Sequence, residues 1–460
     1  MKLKYYLVFT AFALSSCGEG FFEQYPSNNI TEGNFYKTDD DFNQGVVACY
    51  AKLKTQMSFH LTEIGYRGDE NVLESMAVST QNRYDIDHFA ETANNGILND
   101  IWNAWYNGIY RCNDVLDHMT GAKIANYDKY RGECLFLRSW WYFNLYRVFG
   151  VVPITRTVVT PAAAKLIPRC TEEEMYTLLT EDLAEAARLL PPTPGPEKAR
   201  VANIAAYTLL AKVYLTFGKP AEAKTALEEA MKNTSYGLES TTKKVFDVGN
   251  KMNREIIFAL YYNKTNDNGH GYWYSANTDV LADINNPTPT FKAIYDSEKD
   301  NRLPLISSYT KIKDNLFAMT KWYDTYDATY TTQVGNDFPH LRYADVVLMY
   351  AEALAESGGS LGDALEWLNK TRTRAGLDEL TTDEVKSLAE FRRELAAERG
   401  REFALEGHRW FDLVRLGLAV DYFREMGYSL DSHNLIFPIP QNQIEIVNNP
   451  SILWQNPGFN

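Results

Sequence analysis

The sequence predicts a mostly α fold, with paired helices stacked into a scaffold that carries one looped, irregular region containing short strands. Three observations lead there. Long segments place apolar and aromatic residues at steps of three and four. Two helix–turn–helix segments set alanines where helices meet and glycine or proline where they turn. Between these segments, residues about 235–340 shift to Asn, Gly, Pro, Thr and aromatics, the composition of long loops.

The first element is a leader. In MKLKYYLVFTAFALSSC, Lys2 and Lys4 precede an apolar run from Tyr5 to Leu14, followed by Ser15, Ser16 and Cys17. A charged start, a short apolar stretch and small residues before a cleavage point make residues 1–16 a signal peptide. The run is too short to span a bilayer. Leu14-Ser15-Ser16-Cys17 resembles a bacterial lipobox, which makes Cys17 the acylated first residue. Several acyl chains on one cysteine anchor stably where a single chain is marginal. Residues 17–460 then read as one domain, with a helical scaffold over about 40–235 and 340–420 and a ligand-binding insertion over about 235–340.

Within the scaffold, Ile101, Trp105, Ile109, Cys112 and Leu116 fall on one face and predict a helix over Ile97–Met119. Asp128–Gly150 reads as a second, unusually aromatic helix, stopped by Gly150 and Pro153. Thr171 and Glu174 have capping-box spacing at the start of a third, which ends at Pro191. The segment ARVANIAAYTLLAKVYLTFGKPAEAKTALEEAMKN resembles a tetratricopeptide repeat, and LRYADVVLMYAEALAESGGSLGDALEWLNKTRTRAGL repeats its layout. REIIFALYYN reads as a strand, and the stretches around it as long loops, which inside a compact fold are usually functional.

Composition excludes several functions. The net charge is −14, from 46 basic and 60 acidic residues, and no long basic run offsets it. Such a chain does not suit nucleic acid. With 45% apolar residues it buries a large core. Cys49, Cys112, Cys134 and Cys170 form no CxxC or Cys/His cluster, and the seven histidines do not group at metal spacing, so no metal or cofactor is expected. Cys112 and Cys134 lie about equally far from the turn TGAKIANYD, so a disulfide between them is an alternative to buried thiols. HExxH and a phosphate-binding glycine loop are absent from the sequence, and the GxSxG match GGSLG (Gly358 to Gly362) falls in the glycine-rich turn between two helices rather than after a strand.

Many short matches occur in one order: the lipobox, Asp69-Glu70, NDIWNAWYNGIYRCNDVL, RGECLFLRSWWYFNLYRVFGVVP, LRYADVVLMYAEAL, LNKTRTRAGL, EFALEGHRWFDLVRLG, IFPIPQNQIEI and the closing QNPGFN. On these the chain resembles the SusD/RagB family of surface lipoproteins in glycan uptake. The resemblance implies about four tetratricopeptide-like helix pairs and a glycan ligand bound without catalysis. It also implies a lipid anchor on the outward face of the outer membrane and a SusC-like TonB-dependent transporter as partner. Peptide or glycopeptide cargo is an alternative, and so is a glycoside hydrolase drawing carboxylates from Asp279, Asp283 or Asp324.

EFALEGHRWFDLVR has the residue types of an acid–base site. Yet Glu398, Glu402 and Glu406 are spaced four apart on one helix face, with Arg399, Arg409 and Arg415 at hand. That spacing makes ion pairs, and a carboxylate beside an arginine stays ionised and fails as a general acid. The stretch is read as structural.

A sugar ring asks for a flat aromatic under its C–H face and polar groups at its rim. Trp102, Trp105, Trp140, Trp141 and Trp367 sit at helical spacing and read as core, and Trp410 and Trp454 as C-terminal packing. Trp273 and Trp322 remain in polar, loop-like surroundings, supported by Tyr272, Tyr274 and Tyr323. The resemblance adds the stretch before the Ile97 helix, where Asn82, Arg83 and Tyr84 are expected to make rim contacts.

Overall fold

The computed structural model describes residues 35–70, 81–263, 275–277, 287–313, 316–324 and 335–459. The leader, Cys17, Tyr272, Trp273, Tyr274, Asp279 and Asp283 lie outside the described residues.

The first part is helical: α1 (Asp39–Gly65), α2 (Gln81–Asp87), α3 (Gly96–His118), α4 (Tyr127–Phe149), α5 (Pro161–Ala164), α6 (Glu172–Leu189), α7 (Asn203–Thr216) and α8 (Pro220–Met231). The middle holds short helices α9 (Thr242–Val245), α10 (Pro289–Lys292) and α11 (Leu303–Ser307), and strands β1 (Ile256–Leu260), β2 (Ser275–Asn277), β3 (Tyr309–Lys313), β4 (Leu316–Met319) and β5 (Phe338–Arg342). The last part returns to helix: α12 (Tyr343–Glu356), α13 (Leu361–Arg374), α14 (Leu388–Glu402), α15 (Arg409–Arg415), α16 (Ala419–Glu425) and α17 (Gln441–Val447).

Local chemistry sets these boundaries. Thr38 and Thr171 both close capping boxes, with Asp41 and Glu174, at the starts of α1 and α6. α4 is buried nearly all round, as a central helix must be. It crosses α3 at Gly108, where a Cβ would stand 2.2 Å from the Trp141 ring, so no larger residue fits. Neighbours stack in the order α1, α3, α4, α6, α7, α8, α12, α13. The α8–α12 contact closes over the whole irregular middle, so the two repeat-like hairpins adjoin in space.

The middle carries two small antiparallel sheets. β1 pairs with β5, Ile256 facing Arg342 and Leu260 facing Phe338. The other sheet has the order β2-β4-β3.

Two expectations change, for Glu406 and for Trp454. α14 stops at Glu402, so Glu406 lies in the turn that follows rather than on the helix face. Leu405 (φ 63°) and Gly407 (φ 76°) are left-handed there, and buried Glu70 accepts the Leu405 N–H at 3.1 Å. Of the two readings of Cys112 and Cys134, the buried thiols hold, since both are free and buried. Trp454 is 41% exposed, covered on one side by the Arg169 guanidinium at 4.9 Å.

Candidate functional site

Asn95 fixes the surface that carries Asn82, Arg83 and Tyr84. Its side chain caps α3 by accepting the Ile97 N–H at 3.0 Å, and its Nδ2 donates to the Asn82 carbonyl at 2.9 Å. The start of α2 is thereby tied to the start of α3. Asn82 is exposed, and Arg83 and Tyr84 are half-buried beside it. Arg83 Nε donates to Glu63 Oε1 at 3.2 Å, which aims the guanidinium. Burial pushes the Glu63 carboxyl up to about 7, with Arg83 opposing the shift. Tyr84 stacks on His88 at 3.8 Å and 17°, one helical turn on. An amide, a guanidinium and an aromatic pair therefore share one short helix. Sequence reasoning missed His88 and Glu63. The four-residue spacing of Tyr84 and His88 was the available signal for the first, but Glu63 is remote in sequence.

Trp322 is not a displayed platform. It is 0% exposed, edge-on to Phe246 at 5.1 Å and packed on Phe338 at 6.3 Å. The cause is its neighbour. Buried Lys321 donates to the Ala404 carbonyl at 2.5 Å and to Glu406 at 2.7 Å, which draws the 320–322 turn into the core. A ring without exposed surface offers no face to a sugar. Tyr323 next to it is half-buried. Buried Asp324 accepts the Gly335 N–H at 2.8 Å, a loop-holding role in place of the carboxylate chemistry entertained for it.

A second aromatic, Tyr261, went unread because it ends a segment that scans as strand. It is 42% exposed and lines a groove of about 620 Å³ with Tyr50, Lys54, Arg200 and Lys251. Lys251 Nζ stands 4.5 Å from the Tyr261 ring centre, held at its other side by Asp337 at 2.8 Å.

The acid–base residue types of EFALEGHRWFDLVR are spent on packing. Arg342 donates to Glu255 at 2.6 Å, to Glu402 at 2.9 Å and to Glu406 at 2.7 Å. Arg302 meets Asp300 at 2.9 Å, Glu398 at 2.8 Å and Glu402 at 3.1 Å. Arg409 holds Asp69 through two bonds of 2.8 and 3.2 Å. Burial alone would raise the Glu402 carboxyl, but Arg374, Arg342 and Arg302 hold it far below the usual carboxylate range. Such a group does not donate a proton near neutrality. Among the described residues no His/Cys/Asp/Glu group could hold a metal, and no helix is long and apolar enough to cross a membrane.

Two family models match the chain. One, described as the SusD family, covers residues 300–459, and the other, described as starch-binding associating with outer membrane, covers residues 26–215. SusD-like protein P2 of Formosa agariphila is 25% identical over 99% of this chain and 100% of its own length. A crystal structure of a SusD superfamily protein from Bacteroides vulgatus shares the fold at a TM-score of 0.77 and 24% identity, over 92% of this chain and 100% of the other. Surface glycan-binding protein A from Bacteroides thetaiotaomicron, solved in complex with laminarihexaose, aligns at a TM-score of 0.75 and 21% identity, over 91% and 100%.

Trp322→Ala opens a core cavity and should lower stability by about 3–5 kcal/mol, while Tyr84→Ala, at a half-buried position of α2, should cost less than about 1 kcal/mol. Urea denaturation of the two variants checks this. Equal losses would place Trp322 outside the core.

Proposed function

The chain belongs to the SusD family, and from that we propose that it is a surface lipoprotein that binds oligosaccharide and hands it to a SusC-like TonB-dependent transporter, without catalysis. Cys17 is its lipid anchor, and the protein faces outward from the outer membrane. The observation that carries the reading is the pair of family models matching opposite ends of one chain in order. A relative solved with laminarihexaose supports a glycan as the ligand class. Asn82, Arg83 and Tyr84 supply rim and stacking contacts from α2. Trp273, with Tyr272 and Tyr274, supplies the main platform, and Tyr323 assists. With Trp322 in the core, the aromatic load falls on Trp273.

Two experiments test this. A glycan array probed with the chain lacking residues 1–17 should give saturable binding to at least one oligosaccharide, with no new reducing ends on incubation. In that background, Trp273→Ala and Tyr84→Ala should each weaken binding by about 1–3 kcal/mol, the scale of base stacking on aromatics, with unchanged melting temperature. Wild-type affinity in both variants places the site elsewhere. Released reducing ends would make the protein a hydrolase.

In cells, Cys17→Ala should leave the chain unacylated, either released from membranes or with its leader uncleaved. Protease applied to intact cells should digest the wild-type protein. A Cys17→Ala chain that still carries lipid contradicts the anchor assignment.

A further inference from the structure

Behind α15 lies a cavity of about 460 Å³ whose lining includes Phe143, Arg147, Lys212, His408, Phe411 and Arg415. Asp412 and the exposed Glu172 also line it, and the charges that are buried there do not balance. Lys212 pairs with Asp345 at 2.5 Å. Arg399 joins Asp345 to Asp412, both at 2.8 Å. Arg415 meets Asp412 at 2.9 Å and also pairs with Glu352. Those cations, Lys212, Arg399 and Arg415, match the carboxylates Asp345, Asp412 and Glu352 one for one.

Arg147 is the cation left over. Its guanidinium packs against two rings, 4.8 Å from the Phe143 centre and 3.9 Å from the Phe411 centre. It donates to the Asn144 side chain, and its buried Nε has no partner. Among the described residues it forms no ion pair with a carboxylate. Glu172, exposed at the rim, is engaged by the Tyr146 hydroxyl at 3.3 Å instead. Burial drags the Arg147 pKa down to about 9, although Asp412 and Asp345 lie near enough to oppose the shift.

Rings packed on the flat of a guanidinium leave the remaining N–H groups at its edge for recognition. That edge suits a planar or tetrahedral oxyanion. The cavity is far larger than a water site and approaches the size of a small-ligand pocket. One surplus positive charge matches one negative charge. We propose that this cavity binds a small, singly charged oxyanion, a uronic-acid carboxylate or a sugar sulfate ester, with its anionic group seated on Arg147. The lining shares no residue with α2, and the proposal does not rest on the glycan platform.

The test titrates the chain lacking residues 1–17 with D-glucuronate, D-glucose 6-sulfate and D-glucose by calorimetry. At least one of the two anions should bind saturably, and glucose should not bind at this site. Which anion binds tells carboxylate from sulfate ester. Arg147→Gln should weaken anion binding by at least about tenfold, the scale of a hydrogen bond to a charged group. Its melting temperature without ligand should equal or exceed that of the wild type, since no carboxylate loses a partner. Independently of any variant, the bound anion should slow phenylglyoxal modification of Arg147 relative to other arginines, read by peptide mass spectrometry. Glucose binding as well as the anions, undiminished anion binding in Arg147→Gln, or no protection of Arg147 would each overturn the proposal.

Discussion

Arg342 and Glu402 are the joint on which this architecture turns. Around them Arg302, Lys321, Arg342, Arg374 and Arg401 face Glu255, Asp300, Glu398, Glu402 and Glu406, equal in number and all buried. Removing such charges from water is expensive, and it is tolerable only because each carboxylate meets more than one donor. The partners come from separate parts of the chain: β5, α13, α14, the residues before β1, and the 300–302 and 320–322 turns. A helix pair and a looped middle with little regular structure are thus locked into a common register.

That lock explains how the rest is arranged. Hydrophobic stacking carries the helices from α1 to α8, and the middle adds Phe258, Phe291, Trp322 and Phe338 to the same core. Arg302, Lys321 and Arg342 add an electrostatic attachment to that packing. Asp69 and Arg409 form a second clamp, joining the end of the α1 region to α15, with Tyr422 donating to Asp69 as well. The result is a body clamped at several points that presents short polar segments such as α2 at its surface.

Much of the fold was legible because it rests on local rules. Helical periodicity marked α3 and α4, Thr171 with Glu174 marked α6, and the alanine-rich hairpins marked α7–α8 and α12–α13. The spacing of Glu398, Glu402 and Arg399 announced ion pairs, but their partners Arg302 and Arg342 lie too far away in sequence to name. Trp322 was misread for the same reason. Lys321 and Asp324 look like markers of a wet loop, yet both are buried, and their partners come from positions 404–406 and 335. Asn82, Arg83 and Tyr84 were singled out by resemblance as expected contacts, whereas their helical setting and the stack on His88 required coordinates. Tyr261 scanned as strand, since nothing in ALYYN says where β1 ends.

The central claim is that the charged C-terminal stretch holds the molecule together and performs no chemistry. Glu402→Gln tests it most directly, because the substitution keeps shape while removing the charge shared by Arg302, Arg342 and Arg374. Urea denaturation and glycan titration are run on the same preparation. The account predicts a stability loss of about 3–5 kcal/mol with glycan affinity per folded molecule unchanged. A variant as stable as the wild type that has lost glycan binding would contradict it.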